Sequence, residues 1–180
     1  MIITISGTPG SGKSTIAKAI AKALKLKHYS AGDFMGQMAI KRGVSLMELA
    51  RQALTDPSID VEIDDLNRKL AKEDNFVVDA RLGFHFIPNS VKIFIKVDPK
   101  AAAARIWRDI QAKKRPDEVG FSSEKEVLAG LVKRKELEVT RYKKHYNIDF
   151  SDESHYDFVL DTSSLNIEQS VQKVLDFVKK

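Results

Sequence analysis

Eight residues near the start of the chain have the types and spacing of a phosphate-binding loop. They follow the pattern Gly-x-x-x-x-Gly-Lys-Ser and are Gly7, Thr8, Pro9, Gly10, Ser11, Gly12, Lys13 and Ser14. Glycines let successive backbone N–H groups turn toward a polyphosphate, the lysine adds positive charge near the outer phosphates, and the serine hydroxyl can hold Mg²⁺. The chemistry indicated is the binding of a nucleoside triphosphate together with Mg²⁺.

The residues on either side of this phosphate loop (residues 7–14) support the interpretation. The apolar run Ile2-Ile3-Thr4-Ile5 predicts a buried strand before the loop, and the apolar spacing over 13–25 predicts a helix after it. A loop in this position directs the helix N-terminus at the phosphates, where free N–H groups and the helix dipole favour anions. We therefore expect Thr15 to join the loop in binding the triphosphate.

One carboxylate is placed to complete a magnesium site. Asp79 ends the short apolar run 75–79, which predicts a strand that comes after the phosphate loop in the chain. Ligands of open parallel sheets bind at the carboxyl ends of the strands, so Asp79 and Ser14 are the predicted metal ligands. The alternative is an aspartate that merely caps a local turn.

Arginines provide the second chemical signal. Arg81 lies two residues beyond Asp79, and Arg134 and Arg141 are seven residues apart with Glu138 between them. This spacing puts the last three on one face of a predicted helix. Two phosphorylated substrates brought together would need several guanidinium groups to screen their repulsion and to stabilise the phosphoryl group in transfer. The alternative for Arg134 and Arg141 is a solvated helix paired through Glu138.

A third basic group flanks an irregular segment. Arg105 and Arg108 precede the run Lys113-Lys114-Arg115, and Pro116 and Gly120 interrupt the helical periodicity there. These residues are predicted to form a cover over the triphosphate, or else ordinary surface charge.

Composition restricts the class of protein. The 180 residues have a net charge of +5, which suits anionic substrates or nucleic acid, and they include no cysteine, which excludes disulfides and thiol catalysis. No apolar run approaches the 18 residues of a membrane span. We expect one cytoplasmic domain of 180 residues, a monomer without membrane association.

The remaining pattern alternates strands with helices. Further strands are predicted at 27–30, 91–97 and 156–161, with helices from 99 to about 110, from Ser123 to about 146 and over 167–178. Residues 33–72 are predicted to be a helical insertion, with a capping box at Ser45 and Glu48 and a break at Asp56-Pro57. A second capping box is predicted at Ser123 and Glu126, where the later helix begins. Such alternation predicts an α/β fold with a parallel sheet covered on both faces.

Five motifs in order along the chain resemble those of the nucleoside monophosphate kinases. They are the phosphate loop, Ser30-Ala31-Gly32-Asp33, Asp79-Ala80-Arg81-Leu82-Gly83, Val97-Asp98-Pro99 and Arg141-Tyr142-Lys143-Lys144-His145-Tyr146. The chain is most similar to the archaeal-type cytidylate kinases, and the resemblance covers nearly all of it. It implies a P-loop kinase fold with a five-stranded parallel sheet in the order 2-3-1-4-5, a monophosphate-binding insertion at about 33–72 and a short lid at about 109–122. It also implies transfer of the γ-phosphoryl group of ATP, with Mg²⁺, to CMP or dCMP.

The resemblance assigns roles to individual residues. The phosphate loop would hold the ATP phosphates, and Arg105 and Arg108 would belong to the base of the lid. The residues implied to act directly in transfer are Lys13, Arg81, Arg134 and Arg141. Those implied to contact the acceptor nucleotide are Ser30, Gly32, Asp33, Arg42, Asp79, Arg81 and Glu138.

Two positions depart from the family pattern. Gly36 stands where an arginine usually follows the Ala-Gly-acid turn, and Arg42 is the candidate to replace it in binding the acceptor phosphate. Lys13-Ser14 stands where many archaeal-type members have Thr-Thr, which makes the loop similar to the general kinase pattern.

Three other functions fit the same motifs. The acceptor could be AMP, UMP or the hydroxyl group of a small metabolite, and a hydroxyl would require a general base such as Asp33 or Asp79. The protein could be an RNA-associated P-loop ATPase, although its basic residues do not form a face interleaved with aromatic residues, so nucleic acid is not the expected partner. It could also bind nucleotide without turnover, which the retained Lys13, Ser14 and Asp79 argue against.

Overall fold

A computed structural model describes residues 1–44, 46–112 and 120–179. Within them, five strands form one parallel sheet in the order β2-β3-β1-β4-β5, which confirms the predicted α/β fold and strand order. The strands are β1 (Ile2–Gly7), β2 (Lys27–Ser30), β3 (Phe76–Asp79), β4 (Val91–Lys96) and β5 (Phe158–Asp161).

Helices cover both faces of this sheet. They are α1 (Lys13–Leu24), α2 (Ala31–Arg42), α3 (Leu46–Gln52), α4 (Pro57–Leu70), α5 (Gly83–Phe86), α6 (Pro99–Gln111), α7 (Glu124–Tyr146) and α8 (Ile167–Val178). None of the described helices is both long enough and apolar enough to span a membrane.

Side chains on successive sheet residues point to opposite faces and build two cores. Val77 on β3 packs with α1, α8 and the inner residues of β1. Its neighbours Phe76 and Val78 belong to a separate cluster on the other face. β1 lies between β3 and β4, and both its faces are covered, because Ile3 and Ile5 on one face are fully buried and Thr4 and Ser6 on the other are 1% and 2% exposed.

The helical insertion has a small core of its own, in which Met38 of α2, Leu49 of α3 and Ile59 of α4 are buried together. Asp56 caps α4 by accepting a hydrogen bond from the Ser58 N–H, and Pro57 occupies the first turn, as its fixed φ allows. The predicted break at Asp56-Pro57 is confirmed.

Most predicted boundaries agree with the structure within two residues, and two points differ. The four-residue helix α5 was not predicted, because it is too short to show a helical period. Ser123 caps α7, but the Glu126 carboxylate accepts from the N–H and hydroxyl of Ser122 and so forms no capping box with Ser123. Ser45 and residues 113–119 of the predicted lid lie outside the described residues.

A substitution at Gly7 would test whether the phosphate loop must approach β4 closely. A Cβ at Gly7 would collide with the carbonyl oxygen of Ile95, whereas one at Gly36, inside α2, would meet nothing within 4 Å. We expect Gly7→Ala to lower the free energy of unfolding by about 1–3 kcal/mol in urea denaturation. Gly36→Ala is the matched control and should raise that free energy by about 0.5–1 kcal/mol, because alanine favours helix. Equal stability of the two variants would contradict the close approach.

Candidate active site

The phosphate loop is held in shape by glycine conformations and by contacts with β4. Gly10 and Gly12 have φ of 78° and 80°, in the left-handed region that glycine tolerates best. Thr8 donates its N–H to the Ile95 carbonyl at 3.0 Å and accepts the Val97 N–H on its hydroxyl at 3.2 Å. Helix α1 starts immediately afterwards at Lys13, with no side-chain cap on its first N–H groups. Those groups are oriented to bind an anion.

Asp79 is the centre of the polar network next to this loop. It is fully buried, and its Oδ1 accepts hydrogen bonds from Lys13 Nζ at 2.7 Å and Ser14 Oγ at 3.1 Å. Ser30 Oγ donates to the same oxygen at 3.2 Å, and His28 Nε2 lies 3.0 Å from Oδ2. Sequence reasoning missed His28, although its place on β2 next to the Asp79 strand is a usable signal.

The charged groups of this network shift one another's pKa values. Burial by itself would raise the pKa of Asp79, but the His28 hydrogen bond and the Lys13 ammonium outweigh it and hold that pKa below its usual range. Burial lowers the pKa of Lys13, and the Asp79 carboxylate opposes this effect. Asp79 is therefore ionised at neutral pH.

A second charged cluster joins β3 to α7. Arg81 donates from Nε to the Glu138 carboxylate at 2.8 Å and from Nη1 to the Gly7 carbonyl. Arg134 Nε reaches the same carboxylate at 3.3 Å. Burial would raise the pKa of Glu138, but the guanidinium groups of Arg81 and Arg134 hold it below its usual range. The predicted arginine face of α7 is thus turned toward the phosphate loop.

Arg141 is buried deeper than Arg134, with 3% of its surface exposed. Its Nη2 donates to the Tyr142 hydroxyl at 2.8 Å, and its Nε lies 3.7 Å from Asp60 Oδ1 on α4. Burial raises the pKa of Asp60, and Arg141 opposes this shift. This pair connects the helical insertion to α7.

These groups meet in one cleft between the insertion, α7 and the carboxyl ends of the strands, which we term the central cleft. Its lining includes the predicted site residues Lys13, Gly32, Asp79, Arg81, Arg134 and Glu138. Sequence reasoning missed further lining residues, namely Met35, Asp60, Ile63, Asp64, Asn67 and Tyr142. Ser30 is linked to the cleft through Asp79 and caps α2 by accepting from the Asp33 N–H.

Other predicted site residues do not line the central cleft. Arg42 pairs with Asp56 and Glu62, and its replacement of the missing arginine at Gly36 stays a prediction. The Asp33 side chain is 61% exposed and lies 3.5 Å from Lys18. Arg105 donates to the carbonyl groups of Thr162, Ser163 and Leu165, and Arg108 is exposed on α6.

Arg105 is bound to protein carbonyl groups, and its contact with ATP stays a prediction. In this structure its guanidinium group is used to hold the loop between β5 and α8. That loop also contacts the phosphate loop, because the Thr162 hydroxyl donates to the Ser11 carbonyl at 3.3 Å. The contacts of Arg105 therefore position the β5–α8 loop beside the phosphate loop.

A sequence model of the cytidylate kinase-like family matches residues 2–164. The chain belongs to this family. Among cytidylate kinases, the protein of Methanothrix thermoacetophila is 40% identical over 162 residues, which is 90% of this chain and 88% of the relative. The protein of Archaeoglobus fulgidus is 37% identical over 181 residues, with 99% and 95% covered. The resemblance inferred from the motifs is confirmed.

Solved structures of similar fold include a shikimate kinase from Bacteroides thetaiotaomicron, with a TM-score of 0.66, 17% identity and 100% and 99% of the two chains covered. A shikimate kinase from Aquifex aeolicus has a TM-score of 0.61 and 16% identity, with 99% and 96% covered. At these identities the likeness supports the fold of this cytidylate kinase-like chain and says nothing of its substrate.

The Arg81–Glu138–Arg134 cluster makes a testable contribution to stability. Glu138→Gln would leave two guanidinium groups without their shared carboxylate, so we expect a loss of about 3 kcal/mol in the free energy of unfolding at pH 7. Because folding lowers the pKa of Glu138, this contribution is complete above the unfolded value of about 4.3 and disappears as the pH falls through the lower folded value.

The matched control is Glu136→Gln on the same helix, where the carboxylate is 63% exposed and lies 3.9 Å from Lys133. Urea denaturation of wild type and both variants between pH 7 and pH 3 is the measurement. A Glu138→Gln protein as stable as Glu136→Gln at pH 7 would contradict the assignment.

Proposed function

We propose that this protein transfers the γ-phosphoryl group of ATP to CMP or dCMP, giving CDP or dCDP. The observation that carries the proposal is the central cleft, where the buried Asp79 stands between a phosphate loop and the Arg81–Glu138–Arg134 cluster. Membership of the cytidylate kinase-like family and the names of its archaeal relatives support this choice of reaction.

The donor side is the phosphate loop, whose backbone N–H groups and Lys13 would bind the ATP phosphates. Ser14 Oγ and Asp79 Oδ1 lie 3.1 Å apart, and Asp79 is ionised, so two oxygen groups of the kind that Mg²⁺ prefers are adjacent. The residues present therefore fit a magnesium ion held by Ser14 and, directly or through water, Asp79. When bound, Mg²⁺ would neutralise charge on the β- and γ-phosphates.

The acceptor side is formed by Arg81 and Arg134, which line the central cleft, and by Arg141, which is buried behind the lining residues Asp60 and Tyr142. Arg81 is fixed by Glu138 and the Gly7 carbonyl, so its guanidinium group is oriented before the substrate arrives. Preorganised positive charge stabilises the charge that develops on the phosphoryl group without further rearrangement. We assign Arg81 and Arg141 to the acceptor phosphate and Arg134 to the phosphoryl group in transfer.

This reaction needs no protein base. A phosphate monoester has a second pKa near 6, so its attacking oxygen is already ionised at neutral pH. A hydroxyl acceptor would need a base, but hydrogen bonds to Lys13 and His28 lower the basicity of Asp79, and Asp33 lies outside the cleft lining. The site geometry thus favours a phosphate acceptor over a sugar or acid hydroxyl.

The remaining assignments follow from this function. ATP and CMP or dCMP are the partners we propose, with neither membrane nor nucleic acid involved. The monomeric state, the single kinase domain, the cytoplasmic location and a lid at 109–122 with Arg105 and Arg108 at its base stay predictions.

The purified protein should be assayed with ATP and Mg²⁺ against CMP, dCMP, UMP, AMP, GMP and dephospho-CoA. We expect CMP and dCMP to give a kcat/KM at least about tenfold above the other four acceptors, in keeping with the loss of one or two base contacts. The control is Lys13→Met purified identically, which should be inactive and so excludes contaminating kinases. Activity with none of the six acceptors would refute the proposed function.

A further inference from the structure

The helical insertion presents a row of buried polar side chains to the central cleft. Asp60, Asp64 and Asn67 follow one another at positions i, i+4 and i+7 of α4, hence on one face. They are 5%, 7% and 2% exposed, and all three line the cleft. We term them the polar face of α4.

Two oxygen atoms of this face have no hydrogen-bond partner among the described residues. They are Asp60 Oδ2 and Asn67 Oδ1, and each is inaccessible to solvent. Buried acceptors are nearly always paired in native proteins, so an unpaired one that lines a cleft indicates a missing donor. Two such atoms on one helix face point to a ligand that supplies N–H or O–H groups there.

Two other polar atoms of the face are paired within the protein. Asp64 Oδ2 accepts from the Tyr146 hydroxyl at 2.8 Å, and Asn67 Nδ2 donates to the Ile63 carbonyl at 3.1 Å. Because the Asn67 nitrogen is occupied by its own helix, its oxygen is the atom left to accept. Arg141 Nε lies 3.7 Å from Asp60 Oδ1 and opposes the rise in pKa that burial causes at Asp60. In its ionised form the Asp60 carboxylate has acceptors alone.

The cleft has two kinds of lining. Lys13, Arg81 and Arg134 from the sheet side and α7 suit phosphates, whereas the insertion provides the polar face of α4 together with Met35 and Ile63. Apolar side chains suit the faces of a flat ring, and acceptors suit amine groups at its edge. A nucleotide whose phosphate binds the arginines would direct its base toward the insertion.

On this basis we propose that Asp60 and Asn67 recognise the exocyclic amine edge of the acceptor base and so select cytosine over uracil. The inference rests on the proposed function and specifies its substrate. Cytosine has N–H donors on its C4 amine, where uracil has a carbonyl oxygen. That oxygen would meet a carboxylate or amide oxygen without any hydrogen between them, which is costly in a buried site.

The test compares kcat/KM for CMP, dCMP and UMP in wild type, Asn67→Leu and Asp60→Asn. Asn67→Leu removes an acceptor but leaves the Asp60–Arg141 pair intact, so it remains informative if Asp60→Asn fails to fold. Asp60→Asn adds a donor that can pair with the uracil oxygen. We expect the CMP-to-UMP ratio of kcat/KM to fall by about tenfold to a hundredfold in each variant.

Asp65→Asn is the matched control, because Asp65 is the neighbour of Asp64 on α4, is 57% exposed and pairs with Arg68 at 3.0 Å. It should leave the ratio unchanged. A general structural defect would lower both activities alike, so the ratio isolates base recognition.

Three outcomes would overturn the inference while leaving phosphoryl transfer from ATP to CMP in place. These are a wild-type enzyme that uses CMP but does not prefer it to UMP, an unchanged CMP-to-UMP ratio in both variants, and a change confined to the CMP-to-dCMP ratio. A change confined to the CMP-to-dCMP ratio would mean that the polar face of α4 contacts the ribose hydroxyl. Inactivity of the wild type with every nucleoside monophosphate would instead refute the proposed function.

Discussion

The site depends above all on the buried ion pair between Asp79 and Lys13. A carboxylate with no exposed surface is tolerated only when its charge is matched and its oxygens are hydrogen-bonded. Here Lys13 matches the charge of Asp79, and Ser14, Ser30 and His28 contact its oxygens. These partners come from the phosphate loop, the start of α1 and the end of β2. One carboxylate therefore fixes the relative positions of three segments at the carboxyl edge of the sheet.

The arginine cluster extends this arrangement to α7. Arg81 lies two residues beyond Asp79 and is bound to both the Gly7 carbonyl and Glu138, so β3, the phosphate loop and α7 share one guanidinium group. Arg141 in turn approaches Asp60 on the insertion. The cations that would face the acceptor phosphate are thus positioned by internal carboxylates, which also reduce their mutual repulsion when no substrate is bound.

Much of this arrangement could be predicted from the sequence. The phosphate loop has a local sequence pattern that indicates phosphate binding. Asp79 is predicted to lie near this loop because it ends a strand. The spacing of Arg134, Glu138 and Arg141 puts these three residues on one helix face. The strand order came from the family resemblance, since periodicity contains no information on which strands are neighbours.

Side-chain partners could not be predicted in the same way. Arg105 looks like a phosphate ligand in the sequence but is used to bind three carbonyl groups, and Arg42 is paired with carboxylates at the start of α4. Asp60 and Asn67 resemble ordinary surface residues of a polar helix. Their burial depends on tertiary contacts that the helical pattern does not contain, such as the approach of Arg141 on α7 to within 3.7 Å of Asp60.

A cleft that binds a triphosphate and a monophosphate end to end around Asp79 should also bind the two joined in one molecule. A compound that joins adenosine and cytidine through five phosphates would occupy both halves at once. Isothermal titration should show one site per chain, competition with both ATP and CMP, and an affinity at least about a hundredfold above either nucleotide alone. Adenosine pentaphosphate, which lacks cytidine, is the control and should compete with CMP more weakly. A joined compound that binds no more tightly than this control would contradict the account.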